Sequence, residues 1–422
     1  MSGLPEGWAA GKLGELVKFA YGKALPAQAR DGYCYPVFGS NGVVGHHSEP
    51  LTQGEAIVIG RKGSIGEVNY SETPCSPIDT TYYIDQFHGM PSRYWFHLLQ
   101  TLDLSELNKS TAIPGLSRED AYQLEVAISP LPEQTRIADK LDALLARVNA
   151  ARERLDRVPA LLKRFRQSVL AAATSGELTE EWRAGKELEW HEADVQFVAQ
   201  VGTGSTPLRA NKTFYAERGT PWITSAATSE RFVVSAEEFV TADAIKAHRL
   251  KVYPAGTLLV AMYGEGKTRG QVTELAIPAT INQACAAIQV DEGKADRRYV
   301  RLVLEANYYA MRDLAEGGNQ PNLNLSKVKE FPFLMPSLDE QTEIIRRVEA
   351  LFALADKVQA QYEAARARVS KLTPALLAKA FRGELVPQDP NDEPAEKLLE
   401  RLRATQGQAR PAVKRGRKAK AT

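Results

Sequence analysis

The sequence predicts a mixed α/β protein in which two α+β domains alternate with two long helices that pair as an antiparallel coiled coil. Three observations predict it. A helix-forming stretch occurs twice: Glu133-Gln134-Thr135 opens an apolar heptad that closes at Gly176-Glu177-Leu178, and Glu340-Gln341-Thr342 opens one that closes at Gly383-Glu384-Leu385, both ends 207 positions apart. Within each stretch the apolar residues step by four and three, from Ile137, Leu141 and Leu144 to Phe165 and Val169, and from Ile344, Val348 and Leu351 to Leu372 and Leu376. That 3.5-residue period keeps two helices facing each other, and its duplication makes each the natural partner of the other. Finally, the stretch before each helix carries short β-branched and aromatic runs between glycine turns, the pattern of strands.

In chain order, residues 1–128 read as the first α+β domain. Strands are expected at Glu55 to Gly60, Gly66 to Tyr70, Thr80 to Ile84 and Leu124 to Ile128, and a helix at Arg93 to Leu107. Ser117-Arg-Glu-Asp120 reads as a capping box opening a short helix. Residues 129–186 form the central helical region. Pro132 and Asp339 suit the start of each long helix, and Gly176 and Gly383 suit a left-handed C-terminal cap. Pro159 and Pro374 each predict a kink or break, because an interior proline removes a hydrogen bond and clashes with the preceding turn.

Residues 187–335 repeat the first domain's plan. Leu258 to Met262 matches Ala56 to Ile59, and Gly264 to Val272 matches Gly60 to Val68 at an offset of 204. Ile281-Asn-Gln matches Ile78-Asp-Thr at 203, and Leu325-Ser326 matches Leu116-Ser117 at 209. Residues 336–387 are the C-terminal helical region. Residues 388–422 read as a linker, a short helix at Lys397 to Leu402, and a basic flexible tail with Lys414, Arg415, Arg417, Lys418 and Lys420.

The 422 residues carry 44% hydrophobic residues, enough for real cores, and a net charge of +1. Charge is unevenly spread: −5 for 1–128, +3 for 129–186, −2 for 187–335 and +5 for 336–422. Domains that bind DNA without basic excess need a few well-placed contacts, or a basic partner to grip phosphate. Cys34, Cys75 and Cys285 lack metal-ligand spacing and are too few for a disulfide framework, which fits a reducing cytoplasm. No stretch reads as a signal peptide or membrane span.

No catalytic set emerges. Gly266-Lys267-Thr268 resembles the end of a P-loop, but Ala261 stands where the motif needs glycine. No glycine signature for a methyl donor or dinucleotide follows a strand, and His46 and His47 have no ligand partners at metal spacing. The chain reads as a binder. Candidate binding residues in the first domain are Ser40, Asn41, Arg61, Lys62, Ser64, Asp79, Thr80 and Thr81. In the second they are Lys267, Thr268, Arg269, Asn282, Gln283, Asn319, Gln320 and Asn322. Arg and Lys suit guanine edges, Asn and Gln suit adenine, and Ser or Thr serve base or phosphate. A coiled-coil protein-protein adaptor that never touches DNA fits the same repeat.

Leu4-Pro-Glu-Gly-Trp8, Tyr35-Pro-Val-Phe-Gly-Ser-Asn-Gly42, Ile59 to Gly66, Pro77-Ile-Asp-Thr-Thr81, Ile113-Pro-Gly-Leu116, Gly318 to Ser326 and the two Glu-Gln-Thr to Gly-Glu-Leu helices together resemble the DNA-specificity (S) subunits of type I restriction-modification systems. The likeness runs from about residue 4 to 387. It implies two target-recognition domains that each read half of a bipartite double-stranded DNA site. It also implies two docked methyltransferase (M) subunits, which hold S-adenosylmethionine, and restriction/translocase (R) subunits. This chain would then be non-catalytic and bind no cofactor itself. About 40 helical residues at about 1.5 Å each span about 60 Å, so helix length is expected to set the spacer between half-sites.

Overall fold

The structure is a computed structural model that describes residues 3–107, 114–187, 189–264, 267–315 and 322–408. These form two compact units: Met1–Asp156 with Ala364–Thr422, and Arg157–Glu363. Each long helical stretch is therefore divided between the units. The first helix runs Leu131–Asp156, the second Val158–Ser175 and the third Leu338–Ala380.

In the first unit the strand Ala56–Gly60 is buried at every residue, as a central strand covered on both faces must be. It pairs antiparallel with Thr81–Ile84 and Val68–Ser71, and Ala20–Tyr21 adds at the edge beyond Thr81–Ile84. A smaller sheet holds Gly42–His47, Tyr35–Gly39 and Ser76–Pro77, and a two-stranded ribbon joins Ala9–Lys12 to Glu125–Ile128. The expected helix from Arg93 is shorter, Ser92–Leu99 followed by a 3-10 turn at Leu104–Leu107. Ser117 caps Arg118–Tyr122 by accepting from the Asp120 amide.

The second unit repeats this plan with Leu258–Ala261 as its fully buried central strand, flanked by Cys285–Val290 and Val272–Leu275. Its ribbon joins His191–Asp194 to Pro332–Met335, and Arg297–Ala306 takes the place of Ser92–Leu99.

Hydrogen bonds correct three of the sequence offsets. The Ile78 amide donates to Phe38 and the Asn282 amide to Ile223, and the two turns close through Thr81 N to Ile78 O and Cys285 N to Asn282 O. The match is thus Ile78 with Asn282, at 204 rather than 203. Gly66 N donates to Gly60 O and Gly270 N to Ala261 O, so the second loop spans nine positions where the first spans six. Gly264 is consequently not the counterpart of Gly60. Leu116 N donates to Arg61 O and Leu323 N to Met262 O, and Ser117 and Asn324 both cap a short helix. The offset there is 207, the step of the long helices, and not 209. The offset therefore rises from 201 before the loop to 204 after it and 207 at Leu323, two insertions of three residues each, and the like letters at 203 and 209 do not mark equivalent positions.

The long helices differ from expectation in two ways. The one-residue interruption at Arg157, just before Pro159, is the expected break, and Arg157 keeps right-handed helical angles. Pro374, however, lies inside an unbroken helix. The apolar seam is also not continuously buried: Ile137, Leu141, Ile344 and Val348 are at most 1% exposed, but Phe165, Val358 and Leu372 are exposed. In the second unit, Val158–Ser175 runs antiparallel to the start of Leu338–Ala380. Val169 and Ala173 share a core with Ile344 and Val348, and Arg166 reaches Asp356 at 2.7 Å. In the first unit Ile137 and Leu141 share a core with Leu377 and Ala380 from the end of the third helix.

Each unit is closed by the same device. Glu133 and Glu340, one repeat step apart, are both buried. Trp8 Nε1 donates to both Glu133 oxygens at 3.2 Å, and Gln388 Nε2 adds a bond at 3.3 Å while also donating to Gly383 O. Glu340 Oε1 accepts from Trp190 Nε1 at 3.1 Å, Thr179 Oγ1 at 2.6 Å and Arg183 Nη1 at 2.5 Å, and Arg183 Nη2 donates to Gly176 O. Gly176 and Gly383 have φ of 84° and 74°, the left-handed conformation expected of them. The Glu-Gln-Thr start of one helical stretch thus receives the Gly-Glu-Leu end of the other.

The C-terminal helix is longer than the expected Lys397 to Leu402. It spans Ala395–Gln408 and buries Ala395, Leu398, Leu399 and Leu402 in the first unit's core, with Ala395 N donating to Gly7 O. The basic tail from Lys414 to Lys420 lies outside the described residues.

Candidate nucleic-acid interface

In the first unit three turns converge at the end of the central strand. Ser40, in the turn after Tyr35–Gly39, shares its hydroxyl proton between the carbonyls of Lys62 at 2.5 Å and Thr80 at 3.0 Å. The amides of Arg61 and Lys62 donate to Thr80 O at 2.9 and 3.1 Å. Glycine is required here: a Cβ on Gly60 would lie 2.0 Å from Ser64 O, and one on Gly66, whose φ is 77°, would lie 2.5 Å from Ser105 N.

This locked backbone sorts the candidates. Asn41, Lys62, Ser64 and Asp79 are exposed on the rim. Thr81 is fully buried and donates to Ile78 O at 2.7 Å, so it holds the turn and offers nothing to a ligand. Ser40 and Thr80 are half-buried turn anchors. Arg61 is half-buried. Its Nη2 donates to Asp79 O at 2.7 Å, and its guanidinium lies 5.4 Å from the Tyr21 ring centroid and 5.9 Å from that of Tyr82. Burial pushes the Tyr82 phenol up to about 12, so it stays neutral beneath the cation.

Sequence reasoning missed two neighbours. Tyr21 is 49% exposed, and Arg118 lies over the same ring at 5.1 Å, so an exposed aromatic face sits between two cations. Arg118 was visible only as part of a capping motif. Its place beside Arg61 depends on Leu116 pairing with Arg61 O.

The second unit builds the same arrangement at the end of Leu258–Ala261. Met262 and Tyr263 donate to Ala284 O as Arg61 and Lys62 do to Thr80 O, and Leu323 pairs with Met262 O. Lys267, Gln283 and Asn322 are exposed, while Thr268, Arg269 and Asn282 are half-buried. Asn282 Oδ1 accepts from the Ala284 amide, a turn role, and Gln283 Oε1 accepts from Thr206 Oγ1 at 2.5 Å. Tyr308 Oη donates to Lys267 O at 2.7 Å and Arg312 Nη1 to Arg269 O at 2.8 Å, bracing the loop from behind. Asn319 and Gln320 lie outside the described residues. Arg209 was also missed. It pairs with Glu238 and lies 4.9 Å from the ring centroids of both Tyr215 and Trp222.

Among the described residues no group of three His, Cys, Asp or Glu could hold a metal ion, and no helix is long and apolar enough to cross a membrane.

Two sheets of one plan, each ending in a glycine-hinged polar rim, agree with what comparison with known proteins finds. The family model described as the type I restriction modification DNA specificity domain matches residues 5–159 and again 187–364. The chain belongs to this family. It is 30% identical to the type I restriction enzyme EcoDI specificity subunit of Escherichia coli, over 95% of this chain and 96% of that protein. It is 31% identical to the StySPI specificity subunit of Salmonella potsdam, over 71% of this chain and 68% of that protein. In fold it is similar to the HsdS subunit of Thermoanaerobacter tengcongensis, with a TM-score of 0.59, 18% identity, and 90% of this chain and 98% of that one covered. A chain solved in work on assembly of the type I R-M system gives a TM-score of 0.68 at 17% identity, covering 91% of this chain and all of that one. Family membership accounts for the double match: each repeat of the specificity domain carries one of the two rims.

Proposed function

We propose that this specificity-family chain reads a bipartite double-stranded DNA site, one half with each rim, on behalf of a type I restriction-modification complex. The observation that carries this reading is a backbone arrangement built twice with different side chains at equivalent places. Asp79 in one unit answers to Gln283 in the other, Thr80 to Ala284, and Lys62 to Tyr263. A constant backbone with varied donors and acceptors suits reading two different half-sites, because base edges differ by their donor and acceptor pattern. The adaptor reading gives no reason for that variation.

Methylation and cleavage belong to partners in this proposal. Two methyltransferase subunits carrying S-adenosylmethionine dock on the long helices, whose exposed Leu161, Leu354 and Leu372 give them apolar footing, and restriction subunits join them. The slight acidity of the recognition segments fits a complex in which partners supply much of the phosphate grip. The complex would act in the cytoplasm, and helix length would set the spacer.

The test is to express the chain with its methyltransferase subunit and sequence methylated adenines genome-wide. A single two-part motif is expected, and exchanging residues 61–67 and 78–80 for those of a relative should alter one half only. A change in both halves sinks the two-reader model, and the absence of any motif leaves the adaptor.

A further inference from the structure

The second unit holds a cavity of about 860 Å³ that the reading rim borders on one side. The remaining walls come from the Val158–Ser175 helix, the segment around Arg231, the corner between helices Arg297–Ala306 and Tyr308–Asp313, and Phe352 of the Leu338–Ala380 helix.

Its cations fall into two groups. Arg301 is buried and committed: Nε donates to Glu305 at 2.7 Å, Nη1 reaches Glu274 at 3.5 Å, and the guanidinium covers the Phe232 ring at 4.8 Å. Arg166 pairs with Asp356, and Arg312 is spent on Arg269 O and Tyr308 Oη. Lys163, Arg231 and Lys267 differ. All three are exposed, line the cavity from separate elements, and form no ion pair among the described residues. Of the two lining acids, Glu305 is already held by Arg301, and the exposed Glu230 beside Arg231 offsets only part of the charge, so the lining stays strongly positive. Three like charges facing one opening repel each other unless an anion lies between them.

We propose that this cavity clamps the sugar-phosphate backbone of the DNA strand flanking the half-site read by the second unit, with Lys163, Arg231 and Lys267 as phosphate contacts. The inference rests on the DNA-reading function and adds where the backbone is held. Three observations favour a nucleic-acid strand over a small anion. Lys267 belongs to the reading loop itself, so a strand leaving the rim passes into the cavity. The cations stand on separate walls of a wide opening, which suits a chain of phosphates better than one. Tyr309, 60% exposed in the lining, offers a hydroxyl of the kind that commonly meets DNA backbone.

The clamp is one-sided. The 207-residue step puts Ser370 where Lys163 stands and Thr373 where Arg166 stands. Where the second unit has the Arg301–Glu274 pair, the first has Phe96 packed on Tyr70, with ring centroids 5.4 Å apart. The first unit's rim keeps an exposed Lys62 but lacks the Lys163 wall, so the two readers meet the backbone beside their half-sites differently.

The experiment uses the full chain in complex with its methyltransferase subunits and measures DNA affinity from 50 to 200 mM salt. Each lost phosphate contact lowers the log-log salt slope by about 0.9, so Lys163→Gln should reduce the affinity lost across that range by about 3.5-fold. The Lys163→Gln, Arg231→Gln, Lys267→Gln triple variant should lower the slope by about 2.7. Lys163→Arg should keep the wild-type slope, which separates loss of charge from loss of fold. The methylated motif should be the same in wild type and Lys163→Gln. An unchanged slope overturns the clamp. So does a Lys163→Gln complex that sheds its methyltransferase subunit in native mass spectrometry at constant slope, because the cavity would then hold a protein. A wild-type complex that prefers no sequence sinks the reading function, while the slope comparison on any DNA still decides the clamp; one that binds no DNA sinks both.

Discussion

Glu133 and Glu340 occupy the same repeat position but should not cost the same to neutralise. Glu340 is fully buried and its Oε1 accepts a hydrogen bond from the Arg183 guanidinium at 2.5 Å as well as bonds from Thr179 and Trp190. A charge pair about 4 Å between centres is worth about 4 kcal/mol at an effective dielectric of 20. Arg183 keeps 22% of its side chain exposed, so solvent screening reduces this, and about 2–3 kcal/mol is expected to be lost in Glu340→Gln. Glu133 receives only neutral donors, Trp8 and Gln388, and its burial raises its pKa above the ordinary value. The folded state therefore holds that proton more tightly than the unfolded chain. The stabilisation this brings is fully present below the ordinary carboxylate pKa and is lost as pH rises through the raised one. Above that raised pKa the ionised Glu133 is a liability that glutamine removes, so Glu133→Gln should cost at most about 1 kcal/mol and should look better at pH 7 than at pH 4. Urea unfolding followed by tryptophan fluorescence suits both, since Trp8 bonds to Glu133 and Trp190 to Glu340. Equal losses in the two variants, or a larger loss for Glu133→Gln at pH 7, would refute the reasoning.

Arg61→Lys removes the bond to Asp79 O and the stacking on Tyr21 and Tyr82 while keeping the charge. Methylation assays on paired oligonucleotides should show about a 10-fold or greater loss for the first unit's half-site and none of the second's discrimination, in line with about 1–3 kcal/mol per good bidentate contact. Gly66→Ala forces a Cβ to 2.5 Å from Ser105 N at φ 77°, and should lower stability by about 1–3 kcal/mol in urea titrations; an unchanged midpoint would mean the loop has room to relax. Glu343 is held down to about 2 by hydrogen bonds from Arg346 and Arg347. Its contribution is present above the ordinary value and lost as pH falls towards 2. The stability of Glu343→Gln relative to the parent should therefore converge on zero across that acid range, and a constant gap would disprove the assignment.

Much of the local structure was legible because short-range chemistry specifies it. Ile57, Val58 and Ile59 alternate with nothing polar and become a central strand, Ser117 caps its helix, and Gly176 and Gly383 take the left-handed conformation that only glycine adopts cheaply. The candidate loops were found for the same reason, since their glycines mark where backbone must pass close to backbone. Which side chains on those loops are free was not legible. Thr81 and Ser40 look like ready donors in sequence, and the fold turns both into turn anchors. Tyr21 and Arg118, nearly a hundred residues apart, meet only because Leu116 pairs beside Arg61.

What the sequence by itself determined is the period of 207, the helical seams and the alternation of domain and helix, because each follows from the spacing of residue types along the chain. What only the tertiary structure decided is how the pieces are shared. The helix end at Gly383 and the Ala395–Gln408 helix close the unit that begins the chain, and the end at Gly176 closes the other, because Glu133 and Glu340 are buried carboxylates that need donors their own helices cannot supply. Burial decides such pairings, and burial is a property of the assembled core and not of local sequence.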